Sequence, residues 1–457
     1  MGLGLFGGGA AAVRYFAARG WRVTVTDLKP AEALAASLKD IQGLPVVLHL
    51  GRHEPADFTE TDLVVVNPAV PPRSPYLAMA AQAGVPLTSE MNLFFERSRA
   101  PIVGVTGTSG KSTVTTLLGD MLARAMPARV GGNIGRSLLE EADAIGPGET
   151  VVLELSSFQL HDLGRLRRSP HVAVVTGFSE NHIDWHGSME AYRDAKKNIL
   201  RFQGPGDLAV LNADDPEVRS WRAETRGRAI LVSAAGSPEA DVRADGSAAV
   251  FSGDGRDERL DLAGRLRLRG RHNLGNALLA AAAARALGVS LEMIGAAVEA
   301  LRPLPHRLQT VGRLGRILFV DDSKATTPAS ARAALESFGE PVVLIAGGYD
   351  KKTNPGPMVE AALARAKAVI LMGETAPALA AAFGDRGPPV HRAGGIEDAV
   401  GRAVGLAASG DVVLLAPGHA SWDMFDNYEQ RGDAFRRAAE ALGMTPASAE
   451  CEVRSAE

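Results

Sequence analysis

At 457 residues the chain is long enough for two to four domains of roughly 100–200 residues each. Its 46% apolar and 22% charged residues describe ordinary globular material, and a formal net charge of −4 excludes a nucleic acid as the default partner. A single cysteine, Cys451, allows no intrachain disulfide, no stretch reaches the about 18 apolar residues of a membrane span, and no leader pattern opens the chain, so a cytoplasmic enzyme is expected.

Short runs rich in Val, Ile and Leu read as strands at 21–26, 62–66, 102–106, 151–155, 171–176, 208–211, 317–320, 342–346, 368–372 and 411–416. They lack clean alternation, the pattern of parallel strands covered on both faces. Amphipathic, alanine-rich stretches at 112–125, 273–287, 328–338 and 424–442 read as helices, and their alternation with strands predicts βαβ units and doubly wound sheets. Three blocks separate: 1–99, closing after a helix at 90–97; 100–303, closing at the proline pair of Arg302-Pro-Leu-Pro305; and 304–457, with a small, polar, frayed tail. Residues 233–269, rich in Gly, Asp and Arg, read as a small antiparallel excursion. The expected class is α/β with three domains: Rossmann-like at the N-terminus, a central parallel sheet of the P-loop ATPase type, and Rossmann-like at the C-terminus.

The sharpest chemical signal is Gly104-Val-Thr-Gly-Thr-Ser-Gly-Lys-Ser-Thr113, between a predicted strand and a predicted helix. Such a loop lets backbone N–H groups surround phosphate oxygens at a helix N-terminus, with Lys111 reaching the β/γ-phosphates and Ser112 placed for Mg2+. The strict spacing fails by one position, because Val105 holds the first glycine slot; the bland alternative is a turn that binds nothing. Glu154 ends the strand 151–155 and could hold Mg2+, or simply cap or face water. Asn181-His-Ile-Asp-Trp-His186 precedes Tyr192-Arg-Asp-Ala-Lys196; its histidines lack thiolates or H-E-x-x-H spacing, so a hard cation shared with phosphates fits better than zinc. Gly270-Arg-His-Asn-Leu-Gly-Asn276 opens a helix, where an ordinary Asn cap is the plain alternative.

Asp321-Asp-Ser-Lys-Ala-Thr326, Gly347-Gly-Tyr-Asp-Lys351 and the run from His419 to Gly432 each follow a predicted strand, so they should gather at the carboxyl edge of one sheet. At the N-terminus Gly2-Leu-Gly-Leu-Phe-Gly7 matches G-x-G-x-x-G, with Asp27 ending the strand 21–26. That fingerprint raises an NAD-dependent oxidoreductase as a rival. Only Met1 precedes it, so the strand expected to feed the loop is missing, and no downstream constellation suits hydride transfer. Another nucleotide diphosphate, with Asp27 near its base or ribose, is the better expectation.

The set, in this order along nearly the whole chain, resembles the Mur ligases: T-G-T-x-G-K-S-T, E-L-S-S-F-Q-L, N-H-x-D-x-H, Y-x-x-A-K, G-x-H-N-x-x-N, H-R at 306–307, D-D-S-K-A-T, G-G-x-D-K and S-x-D-x-F-x-N-Y-x-x-R-G. The last run and Glu154–Leu160 resemble the D-glutamate-adding members; the D-N-P-R run of the diamino-acid-adding relatives is absent. Folylpolyglutamate-type ligases share the ATP loop but are not expected to carry the last run, so another Mur or folylpolyglutamate-type ligase with a different amino acid is the alternative. The resemblance implies ATP-dependent addition of D-glutamate to UDP-N-acetylmuramoyl-L-alanine through an acyl phosphate, by a monomer that binds neither nucleic acid nor membrane. It implies ATP phosphates held by Gly107, Thr108, Ser109, Gly110, Lys111, Ser112 and Thr113, and two Mg2+ sites, one on Ser112 and Glu154, the other on His182 and a carbamylated Lys196. Adenine and ribose would fall to Asn273, Asn276, Arg307 and Asp322. The acceptor would fall to Asn133 and Asp27, and D-glutamate to Thr326, Lys351, Ser421 and Tyr428. Lys111, His182 and Lys196 would carry the chemistry.

Overall fold

The computed structural model describes residues 1–447 apart from Phe6, Asp254, Gly255, Ala263 and Pro303. Cys451, residues 448–457 of the tail expected to fray and Pro303 of the expected linker therefore lie outside the described residues. At the start of that tail the Ala447 N–H donates to the Val311 carbonyl at 3.0 Å, and Pro446 pairs with Gly312 instead of fraying. The chain forms two compact units, one of residues 1–178, 185–243 and 279–294, the other of 179–184, 244–278 and the residues from 295 on.

In the first unit, β1 (Val23–Asp27) pairs in parallel with β2 (Val46–Leu50), and β3 (Val64–Val65) with β4 (Leu87–Thr88). Met1 and Gly2 are hydrogen-bonded to both strand pairs. The Gly2 N–H donates to the Thr26 carbonyl at 2.8 Å, the Asn67 N–H to the Met1 carbonyl at 3.0 Å, and the Met1 nitrogen to the Val65 carbonyl at 2.9 Å. Met1 and Gly2 thus lie between β1 and β3, where a doubly wound sheet puts the strand that leads into its glycine loop. Gly7 then caps the helix Gly8–Ala17.

The same unit holds β5 (Ile102–Thr106), β6 (Ala128–Gly132), β7 (Thr150–Glu154), β8 (Val172–Val175), β9 (Leu208–Asn212), β10 (Arg228–Ser233) and the first two residues of β11 (Val242–Asp245). They run side by side in the order β11-β10-β9-β8-β5-β7-β6, every neighbouring pair parallel. β5 and β7 are buried at every residue, as expected of strands with apolar residues on both faces. Val103 pairs with both Val152 and Val172, so the carboxyl ends of β5, β7 and β8 finish level. Leu153, Leu160, Ile199 and Trp221 pack the core beneath them. β6 escapes the sequence reading because its Arg129 and paired glycines break the apolar run.

The second unit contains the hairpin of β12 (Ala248–Phe251) and β13 (Glu258–Asp261), antiparallel as expected for that region. The expectation is corrected at its start, because Val242 and Arg243 of β11 pair in parallel with β10. Beyond the hairpin come β14 (Gln309–Leu314), β15 (Ile317–Asp321), β16 (Val342–Gly347), β17 (Ala366–Met372), β18 (Val390–Arg392), β19 (Val412–Leu415) and β20 (Thr445–Pro446). They form one sheet in the order β18-β17-β16-β19-β15-β14-β20, parallel from β15 to β18 and antiparallel at β14 and β20. Val342, Leu344 and Ala346 face one apolar cluster and Val343 and Ile345 another, so both faces of the sheet are covered. The helix expected at 424–442 begins later, at Tyr428, because the Asn427 side chain accepts from the Gln430 N–H and caps it there. Among the described residues no helix is long and apolar enough to cross a membrane.

Candidate active site

The phosphate-loop residues sit where β5 turns into the helix Lys111–Ala123, with Gly110 in a left-handed conformation at its cap. Gly107 has φ +149° and faces the Thr176 hydroxyl so closely that a Cβ would collide with it. Thr176 holds the loop from behind β8: its hydroxyl donates to the Ser109 carbonyl at 2.5 Å, while the Thr108 N–H donates to the Gly177 carbonyl at 2.8 Å. The Lys111 ammonium folds back onto the Gly107 and Thr108 carbonyls, 3.1 Å from each.

Glu154, at the end of β7, is buried beside this loop. One of its oxygens accepts from Asn133 Nδ2 at 2.8 Å, and the Asn133 N–H reaches the Glu154 carbonyl at 2.8 Å. Its other oxygen, Oε2, is buried without a hydrogen-bond donor. Ser156 and Gln159 form a capping box that starts the next helix, which explains part of the E-L-S-S-F-Q segment as helix chemistry. Lys196 projects from the helix Met189–Arg201 into the same region. Its Nζ donates to the Gly107 carbonyl at 2.8 Å and to the Thr106 hydroxyl at 3.3 Å. Burial, reinforced by Lys111 and opposed by Glu154, pushes the Lys196 ammonium well below the ordinary lysine range. Tyr192, one turn earlier, meets the Thr108 hydroxyl at 3.0 Å.

Asp27 is engaged by the glycine loop itself. Its Oδ2 accepts from the Leu3 and Gly4 N–H groups at 2.8 and 3.4 Å, and its Oδ1 from Lys29 N–H at 2.9 Å. A residue that sequence reasoning passes over lies nearby: Glu90, buried at the start of the helix Glu90–Arg97, accepts a short hydrogen bond from the Ser137 hydroxyl. Burial raises its carboxyl to about 7. No local pattern announces it, because its partner stands 47 residues away.

The second unit collects the remaining candidates. His182 occupies a left-handed backbone conformation, φ 54°, uncommon for a residue with a side chain. His272 precedes Asn273 and Asn276; burial and the charge of Arg307 lower its imidazole to about 4. Asn273 Nδ2 donates to the Arg269 carbonyl at 2.7 Å, and Asn276 lies 3.4 Å from the Asn273 side chain. Asp322 accepts the Leu308 N–H at 3.1 Å, and burial raises its carboxyl to about 7 against that bond and Arg307.

β15, β19 and β16 are parallel neighbours, so Asp322–Thr326, the loop from His419 to Ser421 and the loop from Gly348 to Lys351 share one carboxyl edge. Arg431 ties two of these loops together. Buried almost completely, it donates to the Ser323 hydroxyl at 3.0 Å and to the carbonyls of Ser323, His419 and Ala420 at 2.8, 3.1 and 3.2 Å. Lys324 Nζ stands 2.9 Å from the Tyr428 hydroxyl. His306 pairs with Asp321 at 2.7 Å, which holds its imidazole above the ordinary value.

Comparison with known proteins divides the chain into three domains. Residues 1–89 match the Mur ligase MurD-like N-terminal domain, 105–284 the Mur ligase middle domain, and 306–419 the Mur ligase glutamate ligase domain. The chain is 43% identical over 455 residues to the UDP-N-acetylmuramoylalanine–D-glutamate ligase of Roseiflexus sp., covering 97% of this chain and 98% of that one. The ligase of the same name from Symbiobacterium thermophilum is 42% identical over 441 residues, covering 94% and 95%. Among solved structures, the UDP-N-acetylmuramate–alanine ligase of Thermotoga maritima shares the fold, with a TM-score of 0.62 at 20% identity over 96% of this chain and 98% of that one. These relatives support a ligase, and not the oxidoreductase raised by the Gly2–Gly7 loop. With its three consecutive α/β domains and its phosphate loop, the chain belongs to the Mur ligases, ATP-dependent enzymes that form amide bonds.

Proposed function

We propose that the chain joins D-glutamate to UDP-N-acetylmuramoyl-L-alanine with ATP, as a cytoplasmic monomer making a peptidoglycan precursor. The names of its full-length relatives support that substrate pair. The observation that carries the chemistry is the buried, donor-free Glu154 Oε2 beside the phosphate loop and Lys196.

A carboxylate is a poor acyl donor, because its negative charge repels a nucleophile and oxide is a poor leaving group. An oxygen of the alanine carboxylate therefore bonds to the γ-phosphorus of ATP as the bond to ADP breaks. The D-glutamate amine then attacks the resulting acyl phosphate, phosphate leaves, and the amine loses a proton. In this reading Gly107 to Thr113 supply backbone amides and Lys111 a cation to the triphosphate. Asn273, Asn276, Arg307 and Asp322 hold adenine and ribose; Asn133 and Asp27 serve the acceptor side; Thr326, Lys351, Ser421 and Tyr428 hold D-glutamate. The functional division runs 1–99 for the UDP substrate, 100–303 for ATP and 304–457 for the amino acid.

The residues fit Mg2+. Among the described residues no group of three His, Cys, Asp or Glu side chains converges, and one buried carboxylate oxygen lacks a donor. A hard cation completed by phosphates and water suits that set better than a protein cage does. Ser112 and Glu154 would hold one ion, His182 and a carbamylated Lys196 a second. Bound Mg2+ offsets the charge gathered between triphosphate and carboxylate. Carbamylation needs an uncharged amine, which the burial of Lys196 favours.

Phosphate release from ATP, with each substrate omitted in turn, tests the reading. Full turnover should need both UDP-N-acetylmuramoyl-L-alanine and D-glutamate. Turnover that ignores D-glutamate, or that accepts another amino acid in its place, would overturn it.

A further inference from the structure

Trp422 is 60% exposed, an unusual position for the largest apolar side chain, and it directly follows Ser421. Its ring makes two contacts. The Tyr349 ring lies 5.6 Å away, and the Lys351 ammonium stands 5.1 Å from the indole centroid. The backbone fixes this meeting, because the Tyr349 N–H donates to the Ala420 carbonyl at 2.9 Å and fastens the loop after β16 to the loop after β19.

The two adjacent lysines behave differently. Lys352 points outward and pairs with Asp350 at 2.7 Å. Lys351 turns inward, where burial lowers its ammonium to about 8 against the supporting charge of Asp184. A carboxylate in contact with that ammonium would neutralise it and would have to be displaced by an anionic ligand. An aromatic face attracts the cation without cancelling its charge, so the ammonium stays both located and available.

We propose that Trp422 is a positioning residue for the amino-acid substrate, its indole face holding the Lys351 ammonium in place for the side-chain carboxylate of the incoming D-glutamate. The inference rests on Lys351 belonging to the D-glutamate pocket, as read above.

The test is steady-state kinetics on the full chain with D-glutamate varied, comparing Trp422→Ala, Trp422→Leu, Trp422→Phe, Lys351→Ala and the double variant Trp422→Ala/Lys351→Ala. Ala and Leu at 422 should each raise the D-glutamate KM about three- to tenfold, with kcat and the ATP KM within about twofold. Phe keeps an aromatic face and should restore most of the loss, which Leu, equally apolar, should not. In the Lys351→Ala background, losing the indole should add less than about twofold. An unchanged thermal midpoint in the 422 variants, expected of so exposed a side chain, assigns these effects to binding. If Lys351→Ala leaves the D-glutamate KM unchanged, the pocket assignment falls and the inference with it. If Lys351→Ala raises that KM but Trp422→Ala does not, or the two losses simply multiply, or Leu performs as well as Phe, the inference alone is overturned.

Discussion

Two buried groups show how single residues carry the proposed chemistry and its pH response. Lys196 has an ammonium that burial disfavours and two oxygen partners that orient it. Lys196→Ala should fold yet lose at least about 10²-fold in kcat, the scale of one lost electrostatic group. Acetate should restore part of that activity, and labelled bicarbonate should give a carbamate carbon signal in the wild-type protein that the variant lacks. Full activity without any carbamate would remove that role. Glu90 answers to pH through stability. Its carboxyl rises from the ordinary 4.5 to about 7 because burial penalises the charged form. The folded protein then holds this proton more tightly than the unfolded chain does. The resulting stabilisation is complete below about 4.5 and fades as pH climbs through about 7, by roughly 3 kcal/mol at most. Glu90→Gln keeps an oxygen for the Ser137 hydroxyl and removes the titration. Denaturant unfolding across pH 5 to 8 should therefore show the wild type losing stability on a slope that the variant lacks.

At the scale of elements, the loop between β5 and its helix is built mainly of backbone, and Lys111 is the side chain on it that carries a charge. Its ammonium contacts carbonyls of the loop it belongs to. Lys111→Ala should lower the rate about 10²–10³-fold, or 3–4 kcal/mol of transition-state stabilisation, while circular dichroism and the thermal midpoint stay near wild type. A variant with normal turnover would make the loop a structural turn. Elements of this kind are legible in the sequence because their signals are local: β5 is apolar up to Thr106, and the glycines and lysine that follow sit in register with a helix start. The clustering of the Asp322, Lys351 and Ser421 loops is legible too, since loops after parallel strands share an edge. Glu90 is not, because its partner lies 47 residues away, and Arg431 is legible as part of its motif but not as the tie to Ser323, 108 residues away. Tyr428 as the first residue of its helix depends on the Asn427 side chain, a local device overshadowed by the longer amphipathic pattern.

For the whole molecule, the division into two compact units predicts which substrate protects which backbone. The residues assigned to D-glutamate lie in the second unit, and the phosphate loop with Glu154 and Asn133 lies in the first. Hydrogen exchange with D-glutamate alone should slow amides around 321–326, 348–351 and 419–428 and leave 104–113 unchanged. A non-hydrolysable ATP analogue should slow 104–113. Ligand at a hundredfold excess over Kd stabilises what it binds by about 2.7 kcal/mol, enough to see as exchange slowed by roughly two decades. Protection of 104–113 by D-glutamate alone would contradict the assignment. Arg431 carries a consequence for how such a pocket can change over generations. One guanidinium anchors the Ser323 and Ala420 backbones together, so lengthening either loop drags the other with it. New amino-acid preferences should therefore arise by exchanging the side chains mounted on this frame, at Thr326, Lys351, Ser421 or Trp422, while insertions there are eliminated with the fold.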